Sequence, residues 1–251
     1  VLKIKIYIFL YIFLLFTNNK PTLYFYFMFI LFGQVISIFG SSLTSFSLGV
    51  WAYQNAGSVA AYSAIFFAAA AGTVLASPFA GALVDRWEKK KVLVLSSICS
   101  ALISVAIAVF YYLDSLDVWI IIICAGLNGI AMSFSKPAIT ASIKMLIHPN
   151  DLGRANGMTA AGFGFVALIS PVIAAYLLIK IELLGVLLID IFTFVIGLFI
   201  LGFLYLPKRQ LAPEESILKG IKLAWEYLKE KDALIWINGF YFFLNLRYRL
   251  N

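Results

Sequence analysis

Residues 92–113 read VLVLSSICSALISVAIAVFYYL, a run of apolar and small side chains that carries no charge. Three lysines, Lys89 to Lys91, precede the run, and Asp114 follows it. A helix needs about 20 apolar residues to cross the hydrocarbon core of a bilayer. The length of this run and its charged flanks therefore predict a transmembrane helix.

Five further apolar segments predict five more spans, and the composition of the whole chain agrees with them. Of the 251 residues, 63% are hydrophobic and 12% are charged, whereas a soluble domain has about 25% charged residues. So few charges could not cover a water-facing surface. We predict an all-α, polytopic transmembrane bundle of six helices and exclude a soluble domain. The further spans are residues 22–50, 58–84, 118–134, 157–178 and 183–206.

The sequence outside the six-helix bundle, which occupies residues 22–206, divides into three parts. Residues 1–21 form an atypical N-terminal segment rich in Ile, Phe, Tyr and Lys. Residues 207–233 place apolar and charged side chains at helical spacing, which predicts an amphipathic helix or linker on the cytoplasmic membrane surface. A solvated connecting helix is the alternative. Residues 234–251 begin like a seventh span that Arg247 and Arg249 cut off.

Basic residues are unevenly distributed among the loops. They are concentrated after the second, fourth and sixth spans, whereas the other loops have Lys180 as their one base. Short loops rich in Lys and Arg remain in the cytoplasm. The loops after even-numbered helices are therefore predicted to be cytoplasmic, in a multi-pass protein of the cell (plasma or inner) membrane. A nucleic-acid partner is not needed to explain the net charge of +7, because the bases do not form one folded face.

No pattern in the sequence indicates an enzyme, a cofactor or a metal site. Cys99 and Cys124 lie in apolar segments, and His148 has no Cys or carboxylate at metal-ligand spacing. Phosphate-binding loops and nucleophile motifs are also missing. We predict no catalytic residue, no metal and no cofactor, with a proton gradient as the candidate energy source.

Polar residues within the spans are the candidate path for a substrate or a proton. Gln34, Ser37 and Ser41 are spaced three and four apart, which places them on one face of the first helix. Lipid would leave that face unsatisfied, so we predict that it faces protein or a wet cavity. Asn128 is an isolated polar residue in the fourth span, for which an interhelical hydrogen bond is the alternative role.

Asp190 is the only carboxylate well inside a span. A charged side chain at the centre of a membrane costs about 2.5–3.5 kcal/mol on insertion scales. Asp190 is therefore a candidate proton carrier, or a charge partner for a cationic substrate. The alternative is a structural and partly hydrated position near the outer interface, close to Glu182.

Small residues recur every three or four positions in two spans, and such spacing lets helices approach closely in lipid. We predict that both stripes pack tightly against neighbouring helices, in a bundle that rocks or in a static one. The stripes are Gly72, Ala76 and Ala80 in the second span, and Ala160, Gly164, Ala167, Pro171 and Ala174 in the fifth.

The loop after the second span, residues 81–90, reads GALVDRWEKK. It resembles the signature loop of the major facilitator superfamily, which has Gly, three residues, Asp-Arg, any residue, Gly and two basic residues. Glu88 stands where that pattern has its second glycine. The matching positions are Gly81, Asp85, Arg86, Lys89 and Lys90.

Further stretches are similar to the macrolide-efflux and siderophore-exporter branch of the same family, over about residues 28–246. They include GQVISIFG at residues 33–40, GRANG at residues 153–157, and Ile189-Asp190. The antiporter motif of the fifth span, which ends in Gly-Pro, is reduced to Ser170-Pro171 here. Three prolines are expected to mark helix packing or kinks, namely Pro78, Pro137 and Pro171.

The resemblance implies that the chain is the N-terminal six-helix half of a twelve-helix fold. The two halves of that fold rock around a substrate site near the midplane. It implies efflux of a hydrophobic small molecule, of drug, macrolide or siderophore type, coupled to protons. Asp85 and Arg86 would belong to a cytoplasmic charge latch that holds the other half in one state. Control of topology alone is the alternative role for the basic residues of this loop.

Because the sequence holds one half, we expect a truncated or frame-shifted fragment that transports nothing by itself. One alternative is a half-transporter that works as a dimer or with a separate C-terminal half. Another is an accessory membrane subunit without transport. All three readings place the chain in a lipid bilayer.

Overall fold

The computed structural model describes residues 21–203, and long helices occupy nearly all of them. The helices are α1 (Pro21–Ala56), α2 (Val59–Arg86), α3 (Lys89–Tyr112), α4 (Val118–Leu146) and α5 (Leu152–Phe203). A short 3-10 turn, Pro149–Asp151, connects α4 to α5. The predicted amphipathic helix, the predicted seventh span and all but the last residue of the predicted N-terminal segment lie outside the described residues.

Local signals in the sequence set the boundaries of the helices. Gly57 takes a positive φ of 61°, a conformation open to glycine, and separates α1 from α2. Ser58 then caps α2, because its side chain accepts a hydrogen bond from the backbone N–H of Ala60 at 3.2 Å. The loop from α1 to α2 is therefore short, which makes these two helices antiparallel neighbours.

All five helices are long and apolar enough to cross a membrane. The predicted fourth span ends near Phe134, and this boundary is wrong, because α4 continues to Leu146. Pro137 lies inside the helix without ending it. Prolines are tolerated within transmembrane helices because neighbouring groups satisfy the freed carbonyl. The more polar end of α4 thus prolongs the helix beyond the apolar segment.

Helix α5 is interrupted at Glu182, whose φ of 57° and ψ of −178° are not helical. We call residues 152–181 α5a and residues 183–203 α5b. Successive residues of α5a meet successive residues of α1, whereas successive residues of α5b meet α1 in descending order. The chain therefore reverses direction at Glu182. Along α5a, Tyr24 meets Met158 and Leu43 packs with Ala174; along α5b, Gly33 faces Ile200 and Gly40 faces Asp190.

Two helix pairs form the strongest contacts of the bundle, α1 with α5 and α2 with α4, and α3 packs on α4 and α5. Large apolar side chains also cover the outside. Phe67 is 76% exposed and Leu75 is 73% exposed. A water-soluble protein would not expose so many large apolar groups, whereas lipid tails solvate them. This arrangement is that of a helix bundle in a bilayer.

Close packing of small residues occurs where α2 crosses α4. A Cβ atom at Gly72 would overlap the backbone carbonyl of Gly126, and one at Gly129 would overlap the carbonyl of Ala69. Thr73 adds an interhelical bond, since its Oγ1 donates to the carbonyl oxygen of Gly129 at 3.0 Å. The backbones can approach this closely because Gly72 and Gly129 have no side chain.

The second predicted stripe of small residues does not pack as expected. Ala160, Gly164 and Ala167 are exposed on α5a, and nothing lies within 4 Å of a Cβ placed at Gly164. Only Ala174, at the other end of the stripe, is buried. Within residues 21–203 the predicted tight packing is therefore not found along most of α5a, because no described helix covers this face.

Candidate functional site

A column of polar side chains runs through the interior of the bundle. The structure places Gln34, Ser37 and Ser41 there, all on the inward face of α1, with Gln34 only 3% exposed. Their spacing of three and four positions matches one helix face. They meet polar residues of α3, α4 and α5b, so the interior contains far more hydroxyl groups than the apolar outside suggests.

Asp190 lies in this column and is 1% exposed. Ser104 Oγ donates a hydrogen bond to Asp190 Oδ2 at 2.7 Å, and Ser41 Oγ donates to Asp190 Oδ1 at 3.3 Å. Asp190 follows the break at Glu182 by eight residues, or about 12 Å of helix. The carboxyl group is therefore held between α1, α3 and α5b.

Gly40 makes this arrangement sterically possible. A Cβ atom at Gly40 would overlap Thr193 Oγ1 and lie 2.8 Å from Asp190 Oδ1. Such distances are too short for real contacts, so a side chain here would push α5b away from α1. Thr193 lies one turn after Asp190, and its Oγ1 donates a hydrogen bond to the Asp190 carbonyl oxygen at 2.7 Å. The same Oγ1 packs against Gly40.

A cavity of about 60 Å³ adjoins Asp190. Helices α1 to α4 and α5b all contribute to its wall, so it is enclosed by most of the bundle. This volume accommodates a few water molecules or a small ion. Its polar wall consists of Ser41, Thr44, Ser45, Ser104, Asn128 and Asp190, and apolar side chains form the rest.

Thr44 is the third hydroxyl residue beside Asp190 in that wall. Its side chain is 5% exposed, and its hydroxyl lies with those of Ser41 and Ser104 around the Asp190 carboxyl group. The carboxyl group is therefore surrounded by hydroxyls from both α1 and α3.

A second, smaller cavity of about 10 Å³ lies further along the column. Asn128, at the edge of the first cavity, accepts a hydrogen bond from Ser100 Oγ at 2.7 Å. This interhelical bond was the alternative role considered for Asn128. The wall of the second cavity includes Gln34, Ser37, Ser96, Ser97, Ser100 and Ser135.

Thr44 and the serines of α3 were not among the residues predicted for this site. Ser96, Ser100 and Ser104 recur every fourth residue and are all buried. That spacing would have identified a polar face on α3, just as it did on α1. The spacing therefore indicates the face of α3 that meets Asp190, although it does not show which hydrogen bonds form.

The signature loop, residues 81–90, lies at one end of the bundle. Lys89 Nζ donates to the carbonyl oxygens of Val84, Asp85 and Trp87, which caps the C-terminal end of α2. Lys90 Nζ donates to the Gly202 carbonyl at 2.9 Å, near the end of α5b.

The other predicted members of the loop are more open. Asp85 is exposed, Arg86 is half-buried, and a Cβ at Gly81 would meet nothing within 4 Å. Pro78, Pro137 and Pro171 all lie inside helices, and Pro78 is exposed.

A family model of the Major Facilitator Superfamily matches residues 30–247. The chain belongs to this superfamily. The match covers most of the chain and agrees with the extent of the resemblance found in the signature loop and its surroundings. The family consists of membrane transporters, so the prediction of a multi-pass helical membrane protein of this family is confirmed.

Curated relatives support the predicted branch. The chain is 26% identical to macrolide efflux protein A of Streptococcus pyogenes over 177 residues, which is 70% of this chain and 44% of that protein. It is 30% identical to macrolide efflux protein A of Enterococcus faecalis over 132 residues, or 52% of this chain and 41% of the relative. The chain thus spans less than half the length of these relatives.

Proposed function

We propose that this chain forms the N-terminal six-helix half of an efflux transporter for a hydrophobic small molecule of macrolide type. Its six spans would be α1 to α4, α5a and α5b. The reversal at Glu182, between the predicted fifth and sixth spans, supports this count. The basic loops after even-numbered spans support an orientation with the signature loop in the cytoplasm of the cell membrane.

The observation that carries this proposal is the buried Asp190 and its hydroxyl partners. A carboxylate in a membrane interior is costly and marks ion or substrate pathways. In an alternating-access exporter, a proton bound to Asp190 in one state and released in the other would couple transport to the proton gradient. Gln34, Ser37, Ser41 and Asn128 would form the path beside it.

A second six-helix half would complete the substrate cavity, supplied by a C-terminal half or by a second copy of the chain. The uncovered face of α5a, with Ala160 and Gly164, supports such a partner because small residues favour close helix contact. Asp85 and Arg86, at the end of α2, would form the charge latch against that partner. Lys89 and Lys90 would instead hold the ends of α2 and α5b in place beside the charge latch.

Accumulation of a radiolabelled macrolide in a drug-hypersusceptible host tests the proposal. The chain is expressed alone and together with the C-terminal half of macrolide efflux protein A of Streptococcus pyogenes. We expect lower accumulation in the co-expressing cells, and loss of that effect with Asp190→Asn. Asp117→Asn, in the loop before α4, is the matched control and retains efflux.

Two results would contradict the proposal. If the chain is inserted in the membrane but no half restores efflux, the transport function fails and an accessory role gains support. If Asp190→Asn and Asp117→Asn export equally well, Asp190 is not the coupling group. Efflux by the chain alone, with dimers present in mild detergent, would favour a homodimeric half-transporter.

A further inference from the structure

We propose that Asp190, Ser41, Thr44 and Ser104 form a binding site for Na⁺, in which the ion competes with a proton for the Asp190 carboxylate. The site is the cavity of about 60 Å³ between α1, α3 and α5b. The inference rests on the proposed function only for the position of this cavity inside the membrane. Ion binding itself requires neither a substrate nor a second half.

The first argument is the chemistry of the oxygen atoms in the cavity wall. Hard cations such as Na⁺ are bound by carboxylate, hydroxyl, carbonyl and water oxygens. Ser41 and Ser104 already donate their hydrogens to the two Asp190 oxygens, which leaves the hydroxyl lone pairs available. With Thr44 and the carboxylate itself, three hydroxyl oxygens and two carboxylate oxygens surround one cavity.

The second argument is the buried hydroxyl of Thr44. It borders the cavity, is nine-tenths buried and lies beside the Asp190 carboxyl group. Its oxygen keeps lone pairs for a cation even when its hydrogen points to the carboxylate. Thr44 therefore adds a third hydroxyl oxygen to the site.

The third argument is charge balance. Among the residues that line the cavity, Cys124 is the only titratable group besides Asp190, and none is cationic. A charged carboxylate here would have no positive partner in the described structure, although isolated charges in a membrane are costly. The described charged residues on the surrounding helices do not line the cavity: Asp85, Arg86, Lys89, Lys90, Lys91, Lys136, Lys144, Arg154, Lys180 and Glu182.

The same argument selects a monovalent ion. One Na⁺ neutralises one carboxylate, whereas Mg²⁺ or Ca²⁺ would leave a net positive charge in the membrane interior. When Na⁺ binds the protonated site, the O–H bond of the Asp190 carboxyl breaks and the proton passes to water. The carboxylate keeps the electron pair and binds the metal ion, so total charge in the cavity stays at zero.

Binding of ²²Na⁺ to the purified 251-residue chain in lipid nanodiscs tests this inference. At pH 8 we expect saturable binding of one ion per chain, with unlabelled NaCl but not choline chloride as a competitor. At pH 5 the binding is lost because protons occupy the site. Release of protons into a weakly buffered solution on addition of NaCl is the second readout.

Variants separate the site from general effects on folding. Asp190→Asn is expected to abolish ²²Na⁺ binding, and Thr44→Val to weaken it about three- to tenfold, the loss typical of one hydrogen-bonding partner. Thr44→Ser keeps the hydroxyl and restores binding. Ser47→Ala is the matched control, since Ser47 is also a buried hydroxyl residue of α1 but does not line the cavity.

The absence of saturable ²²Na⁺ binding by the folded wild-type chain would overturn the inference. So would equal binding by Thr44→Val and Ser47→Ala. Proton uptake at Asp190 without Na⁺ binding would leave the proposed efflux function intact and remove only the Na⁺ site. Na⁺ binding by a chain that restores no efflux with any second half would instead contradict the proposed function alone.

Discussion

Two serines from two different helices hold the Asp190 carboxyl group in place. Ser104 contributes the shorter bond, at 2.7 Å, and Ser41 the longer, at 3.3 Å. A hydrogen bond to a charged group contributes about 1.5–3 kcal/mol, and a buried acceptor that loses its donor becomes unsatisfied. Ser104 therefore links α3 to α5b more strongly than the bonds that serines form within their own helices.

Ser104→Ala is expected to destabilise the folded chain by about 1.5–3 kcal/mol, because the Asp190 carboxyl loses its shorter hydrogen bond. Ser142→Ala is the matched control, since the buried Ser142 donates only to the Ala138 carbonyl of its own helix. Thermal unfolding of both variants in the same detergent gives the comparison. Equal midpoints for the two variants would mean that the Ser104 bond adds no net stability.

At the level of single residues, the sequence predicted Asp190 but not the serines that form hydrogen bonds with it. Asp190 stood out because a carboxylate is rare within an apolar segment. Serine is ambiguous there, since its hydroxyl can bond to the preceding turn of its own helix, as Ser96 does to Leu93. Whether a serine bonds locally or across helices depends on how the helices are packed, which no spacing rule determines.

The crossing of α2 and α4 depends on the absence of side chains at two glycines. Gly72 lies against the Gly126 carbonyl, and Gly129 lies against Ala69. Helices in lipid gain association energy from van der Waals contact of closely approaching backbones. A Cβ at Gly72 or Gly129 must separate the two helices and also lengthen the bond from Thr73 to Gly129.

Gly72→Ala is expected to destabilise the bundle by about 1–3 kcal/mol, the cost of forcing a methyl group into a well-packed contact. Gly81→Ala, in the same helix, is the matched control because a Cβ there meets nothing within 4 Å. Unfolding in a graded mixture of mild and denaturing detergents measures the difference. A Gly72→Ala chain as stable as Gly81→Ala would show that the two helices can move apart at little cost.

The reversal at Glu182 places a non-glycine residue in a strained backbone conformation. Its φ of 57° with ψ of −178° lies in a region occupied almost only by glycine, at a cost of about 1–3 kcal/mol. Asp114 also has a positive φ, of 51°, at the end of α3. Both residues lie in loops between helices, where the chain must turn within very few residues.

Glu182→Gly is expected to raise the thermal unfolding midpoint by a few degrees, because relief of the strain exceeds the added flexibility of glycine in the unfolded chain. Glu182→Ala removes the same carboxylate but keeps Cβ, so it should give no such gain. A midpoint that rises equally in both variants would attribute the effect to the charge of Glu182 and not to its backbone.

The existence and order of the helices followed from the sequence more closely than their ends. Apolar length identified every described helix, because lipid imposes the same requirement on each. The end of α4 was misplaced because its apolar segment ends near Phe134, whereas the helix continues through Lys136 and Pro137 to Leu146. The exposed face of α5a was misread because spacing alone does not reveal whether a partner covers it.

The orientation of the whole molecule in the membrane is testable at two of its loops. In a background of Cys99→Ser and Cys124→Ser, Asp117→Cys should react with a membrane-impermeant maleimide in intact cells. Trp87→Cys, which lies in the signature loop, should react only after the cells are permeabilised. Both positions are exposed in the structure. The reverse labelling pattern would invert the proposed topology and place Lys89 and Lys90 outside.

At the scale of the whole chain, the fold was predictable because two independent signals coincide. Apolar length gives the helices, and the signature loop assigns the family whose model matches residues 30–247. The polar interior was only partly predictable, since its cavities arise where α1, α3, α4 and α5b converge. Residues on these helices are far apart in sequence, so no local pattern contains the volume between them.

The bond between Ser41 and Asp190 joins positions separated by 149 residues. A ribosome that adds about 5–20 residues per second needs roughly 7–30 s to produce the second residue after the first. During that interval the hydroxyl of Ser41 has no access to Asp190 and can bond only within its own helix or to helices already made. The contact between the first and the last described helix is therefore among the last to form during biogenesis of this protein.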